Sequence, residues 1–206
     1  MKYTNIIPLG DNCAISIILK ELNLRKKSYP FDWSSHVGPD PTYSNIEINI
    51  NILIELLETK NIENAINKLL NNKISENNKI NDELIFPHET GTKLEINEKY
   101  IRRLNRLLDD VTNPSNNNVF ILLTRCYLIN ENILSKLYDL LMKFNKENKI
   151  IFISGLEHSY LINKKLNNFE FKYIYYDVSK GWDYDYSDFR PKIKDYLTIV
   201  LQSVLE

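Results

Sequence analysis

"VFILLTRCYLINENILSKLYDLLMKFNKENKIIFISGLEHSYLINKKLNNFEFKYIYYD", residues 119–177, decides the fold. Three segments within it, 119–124, 149–154 and 169–176, are short and rich in β-branched and aromatic residues, as strands are. Helical spacing occupies 132–144 and 158–166, and recurs in a closing helix over 191–204. Strands that are apolar on both faces and alternate with helices build parallel βαβ units covered on both sides. Working back toward the start, 6–9 reads as a buried strand ended by Gly10. Asp11 and Asn12 are good helix caps, and Ala14, Ile17, Ile18 and Leu22 carry a helix to about residue 24. Pro30-Phe31-Asp32-Trp33 is stiffened by its proline and should pack through its aromatics. Residues 34–43, with Gly38, Pro39 and Pro41, read as loop. Two helices broken near 59–61 span 46–70, and 71–82 is a polar, asparagine-rich connection. A short strand, 83–86, runs into Pro87 and His88, and Gly91 turns the chain into an amphipathic helix over 96–111. The expected fold class is α/β, a mostly parallel sheet flanked by helices in three layers, Rossmann-like, with residues 1–206 as a single domain.

The chain has 206 residues, 43% of them hydrophobic and 26% charged, which suits a buried core rather than disorder. Twenty-six basic and 27 acidic residues leave a formal net charge of -1, so overall charge gives no argument for nucleic acid as a partner. Abundant asparagine, isoleucine and lysine read as nucleotide bias in the source. No apolar run approaches the roughly 18 residues that cross a bilayer. The opening residues lack the order of a secretion signal, so a cytoplasmic location with Cys13 and Cys126 as reduced thiols is expected. No Cys-x-x-Cys or His-Glu-x-x-His pattern supports a metal. Neither a Gly-x-Gly-x-x-Gly stretch nor a Walker-type lysine loop occurs, and no cofactor is expected.

Chemistry gathers around Cys13. At the first turn of a helix a thiol meets unpaired N–H groups and the positive end of the dipole, which favour the thiolate. His88, one of three histidines, follows a strand end and can serve as the base; His36 and His158 rank below it. Asp32 is the preferred group to orient His88, and Asp177, after the strand 169–176, is the other choice. Glu89, adjacent to His88, should face away. In a parallel sheet, ligands bind outside the carboxyl ends of strands, where Gly10, Asp11, Asn12, Cys13, His88, Arg125 and Asp177 are expected to meet. Arg125 suits either a substrate carboxylate or phosphate, or an ion pair with Asp32 or Asp177. Cys126 reads as inert packing. Trp33 and Trp182 are the aromatic candidates for substrate contact, and the stretch 180–189 reads better as a loop anchored by its aromatics than as a lid.

Residues 8–33, "PLGDNCAISIILKELNLRKKSYPFDW", resemble the opening of a family described as "putative papain-like cysteine peptidases", with members in bacteria and large DNA viruses. The pattern is a strand ending in Leu9 and Gly10, a helix led by Cys13, then Arg25, Ser28, and Pro30-Phe31-Asp32-Trp33. Phe86-Pro87-His88-Glu89 and an apolar strand running into Arg125 extend the resemblance over most of the chain. It implies Cys13 as nucleophile and His88 as general base. The papain-like order of cysteine, histidine and acid is met with Asp177 as third member, and broken with Asp32. It also implies a papain-like α+β fold, helices against an antiparallel barrel-like sheet, as the alternative to a parallel one. The start is similar, too, to the strand-Gly-Asp-Ser opening of SGNH-type esterases and lipases, but no Asp-x-x-His follows. The leading expectation is a cysteine-nucleophile hydrolase or acyl transferase acting on a peptide, acyl or glycan substrate. The alternatives are a glycan- or nucleotide-sugar-related α/β protein with a structural cysteine, and an inactive interaction module.

Overall fold

The structure is a computed structural model that describes residues 3–33, 35–36, 45–71, 84–85, 90–162, 166–180 and 184–205. His88 and Trp182 lie outside them, as do Phe86, Pro87 and Glu89. The main sheet has four parallel strands: β1 (Asn5–Gly10), β4 (Asn118–Thr124), β5 (Lys149–Ser154) and β6 (Phe169–Tyr173), side by side in that order. All seven residues of β4 are buried, which is why its sequence does not alternate. Phe120 and Leu122 face one core, and Val119, Ile121 and Leu123 face the other.

Because the sheet grows in one direction, its right-handed crossovers must share a face. The crossover helices α5 (Glu131–Phe144) and α6 (Ser159–Ile162) do so. They share it with α2 (Asn45–Thr59), α3 (Ile62–Ile66) and α4 (Lys93–Thr112). The second face is covered by α1 (Ala14–Glu21) and the closing helix, α7 (Arg190–Leu205). Ala14, Ile15 and Ile18 of α1 pack there with Phe189, Ile193 and Leu197. α1 follows the carboxyl end of β1 directly.

At the opposite edge a row of buried asparagines pins the register. Asn5 Nδ2 donates to Asn118 Oδ1 at 2.9 Å, Asn118 N–H to Asn148 Oδ1 at 3.0 Å, and Asn148 Nδ2 to the Leu141 carbonyl at 2.9 Å. These three asparagines have a structural task that a compositional reading hides.

Two expectations are corrected. The papain-like alternative, with an antiparallel barrel-like sheet, gives way to the parallel three-layer arrangement. The second concerns the strand before His88, β3 (Leu84–Ile85), which does not join the main sheet. It pairs antiparallel with β2 (Ser35–His36), a segment that reads as loop, with Ser35 opposite Ile85 and His36 opposite Leu84. Two residues per strand are too few for any periodic pattern to register.

Gly155, just past β5, is wedged between neighbouring strand ends. A Cβ there would lie 1.9 Å from the Arg125 carbonyl oxygen and 2.6 Å from Tyr176 Cβ. Its N–H donates to the Thr124 carbonyl at 2.8 Å, and its own carbonyl accepts from Tyr176 N–H at 3.2 Å. Gly155→Ala must therefore push apart the ends of β4 and β6, and is expected to lower stability by about 3 kcal/mol. Urea unfolding of the two proteins checks this, and an unchanged midpoint would show that the strand ends are looser than described.

Candidate active site

The site begins with a topological fact. β1 leads into α1 on one face of the sheet, whereas its neighbour β4 leads into α5 on the other. Where adjacent connections part in this way, a crevice opens at the carboxyl ends of the strands. Gly10, Asp11, Asn12 and Cys13 follow the end of β1, and Arg125 follows the end of β4 beside it. Gly10 makes the turn tight, since a Cβ there would approach the Asn12 carbonyl to 3.0 Å. Asp11 N–H continues the ladder to the Leu123 carbonyl at 2.9 Å. From α2, Asn49 Nδ2 donates to the Gly10 carbonyl at 3.0 Å.

The two expected capping residues divide their roles. Asn12 Oδ1 accepts from Ala14 N–H at 2.9 Å and so satisfies one of the orphan donors that open α1. Asp11 turns instead across the crevice. Its Oδ2 accepts from Arg125 N–H at 2.8 Å, and the Arg125 Nε stands 3.3 Å from Oδ1. Of the two uses weighed for Arg125, the ion pair is the one made, with Asp11 rather than Asp32 or Asp177. Burial works against the charge on Arg125, but Asp11 and Asp185 outweigh it and raise the guanidinium pKa.

Cys13 sits between these groups, half-buried, just ahead of α1, and its side chain makes no cap hydrogen bond. The helix start was expected to favour the thiolate. Burial instead pushes the thiol pKa above its ordinary value. Arg190, the residue's own N–H and Arg125 pull it down, and Asp185 pushes it further up. Removing a polarisable charge from water thus outweighs one helix terminus and two guanidiniums that are themselves neutralised. Asp185 and Arg190 went unnoticed in the sequence. They lie in the wide, π-type turn at Asp185–Phe189 and the first residue of α7. Arg190 Nε and Nη2 both donate to Asp185 Oδ2, at 2.8 and 2.7 Å, and its guanidinium stacks 4.0 Å from the Tyr186 ring centre. The available signal was their place after the last strand, at the same edge as Cys13 and Arg125. The aromatics of the segment anchor it, Phe189 and Tyr184 packing on Tyr176.

Asp32 sits elsewhere. Its carboxylate is held by Arg25 Nη2 and Nε and by Tyr29 N–H, and the same guanidinium reaches Ser28 Oγ and stacks on Trp33. Arg25 lies beyond the end of α1, whereas Cys13 precedes its start, so about 12 Å of helix separates them. The Arg25, Ser28 and Pro30-Phe31-Asp32-Trp33 pattern is thus one turn tied by one guanidinium. Burial still leaves the Asp32 carboxyl above its usual range, with Arg25 only partly compensating. Asp177 turns its carboxylate to Ser179 N–H and Oγ at 3.1 and 2.6 Å and to Lys180. Cys126 is a half-buried free thiol packed at the rim of the second core. Among the described residues no group of His, Cys, Asp and Glu is arranged to hold a metal ion, and no helix is long and apolar enough to cross a membrane.

An α/β protein with a cysteine in the crevice between its first two neighbouring strands is the class this geometry defines. Residues 4–40 match the model of the family described as "Putative papain-like cysteine peptidase", a stretch that includes Cys13 and the Arg25–Asp32 turn. No curated protein and no solved structure matches the chain.

His158 is fully buried among Phe152, Tyr160 and Phe171. Its Nε2 accepts from Ile129 N–H at 3.1 Å, so Nδ1 carries the proton and faces the Leu156 carbonyl. Burial lowers its pKa below 6.5, which makes the fold bind this proton less readily than the unfolded chain. This contribution to stability is whole above about pH 6.5 and is lost as pH falls toward the folded-state value, by at most about 1.4 kcal/mol per pH unit. His158→Gln, whose Oε1 can keep the bond to Ile129, should flatten that slope in urea titrations between pH 7.5 and 5. An equal slope in both proteins would assign it to other groups.

Proposed function

We propose that the protein is a cysteine-nucleophile hydrolase or acyl transferase. The observation that carries this reading is the position of Cys13 immediately ahead of α1, after the end of β1 and within the segment that matches the peptidase family. A thiol whose pKa is raised by burial needs a base, and the reading gives that task to His88. The imidazole takes the proton from sulfur as the S–C bond to the acyl carbonyl forms. Backbone N–H groups around Asn12 and Cys13 receive the developing oxyanion. The tetrahedral centre then collapses, and the imidazolium returns its proton to the leaving group. Water, or an acceptor nucleophile, finishes the turnover by releasing the acyl group from sulfur. A peptide or another acyl compound is the substrate class. The reading rests on the cysteine–histidine pair and leaves Asp32 and Asp177 with the structural bonds that their carboxylates make.

The test uses p-nitrophenyl acetate as acyl donor, followed by intact mass and peptide mapping. An acetyl group is expected on Cys13, absent in Cys13→Ala and formed about 100-fold more slowly in His88→Ala. With iodoacetamide, labelling of Cys13 should stay slow at neutral pH in His88→Ala and rise with pH beyond the ordinary thiol value of 9.0. Ester hydrolysis at full rate in Cys13→Ala, with no acyl group found on sulfur, would sink the proposal and favour a structural cysteine.

A further inference from the structure

We propose that the crevice beside Cys13 binds an anionic group of the substrate, a carboxylate or phosphate, with Arg190 as its receptor and Asp185 as the residue that fixes Arg190. The inference deepens the nucleophile reading and rests on it.

Its ground is a set of buried donors left unmade. Arg190 gives both Nε and Nη2 to a single oxygen of Asp185, and its Nη1, on the edge turned away from that fork, is buried and has no hydrogen-bond partner. Asn12 shows the same pattern. Its Oδ1 is fixed by Ala14 N–H, which orients the amide, and its Nδ2 is buried without a partner. Ser16 Oγ, one turn into α1, is a third such group. Arg190 is 6% exposed and Asn12 3%. Buried donors in folded proteins are nearly always satisfied, and a cluster of unmade ones points to a missing ligand.

These donors share one neighbourhood. Asn12 precedes Cys13 in the chain. Arg190 opens α7, and its neighbours Phe189 and Ile193 share the second core with Ala14 and Ile15 of α1. Lys194, one turn on, reaches Glu21 at the other end of α1, at 2.7 Å.

The sign of the ligand follows from the charges around it. Asp11 offsets Arg125 and Asp185 offsets Arg190, leaving the frame neutral before anything binds. The start of α1 then favours negative charge, and the free edge of Arg190 supplies a charged donor. Asp185 Oδ1, also buried without a partner, would repel an anion, so the ligand approaches from the Nη1 edge. Arg125, the arginine that sequence position suggests for this task, already bridges the two strand ends through Asp11.

The test compares two alkylating reagents that differ mainly in charge, iodoacetate and iodoacetamide, on Cys13 of the intact protein. The ratio of their rates, divided by the same ratio for N-acetylcysteine, should favour iodoacetate by at least about tenfold, as one charged hydrogen bond would give. Arg190→Gln should return the ratio to that of the free thiol. Inorganic phosphate and succinate, added separately, should slow iodoacetate, and the stronger of the two names the anion. A normalised ratio near one in the wild-type protein would overturn the proposal even if Arg190→Gln failed to fold. That outcome, with an acetyl adduct still formed on Cys13, would leave the nucleophile reading standing. A preference for iodoacetate without any acyl adduct would do the reverse.

Discussion

The carboxylate of Asp11 holds the site together. It reaches from the end of β1 to the backbone and guanidinium of the residue that follows β4. These are the two strands whose connections leave on opposite faces. A buried pair of this kind adds little net stability over an apolar contact, because desolvation takes back most of the attraction. What it provides is geometry. With the strand ends tied, the turn through Gly10 and Asn12 can be tight, and the residue that starts α1 is held at a fixed height above the sheet.

The crevice also shows a competition with a definite winner. Two guanidiniums, of Arg125 and Arg190, act on the sulfur, yet burial raises its pKa. Each arginine nearby comes with its own carboxylate, so the field at the sulfur is weaker than the number of cations suggests. Such an environment stores a neutral thiol and responds to whatever alters the balance, whether a base that takes the proton or a ligand that rearranges the charges.

How much of this was legible beforehand depends on the length of the pattern involved. The parallel sheet could be read because β4 and β5 are continuous apolar runs, and the helices because their apolar spacing persists for several turns. The α4 boundary even carries a reciprocal cap, Thr92 with Glu95, where the reading began the helix only at 96. The β2–β3 pairing escaped because two residues carry no periodicity, and with it went the argument that sheet membership places His88 at the rim. Asp11 could be seen as a cap candidate but not as the partner of Arg125, 114 residues away, since only the β1–β4 register brings them together. Asp32 misled in a different way. Its position in a rigid motif suggested chemistry, whereas the rigidity itself is what the carboxylate supplies, through Arg25. Asp185 and Arg190 were hidden by their aromatic neighbours, which dominate any reading of that stretch.

One feature of the second face bears on how the surroundings of Cys13 form. The sulfur at position 13 belongs to a segment that contains its own strand, helix and tied turn. The carboxylate and guanidinium that complete its surroundings come from residues 185 and 190, on the helix that seals the second face. Without that helix the cysteine lacks these two charges. Its distinctive electrostatics arise only when the final helix docks, so the maturation of the site and the closure of the core are a single event.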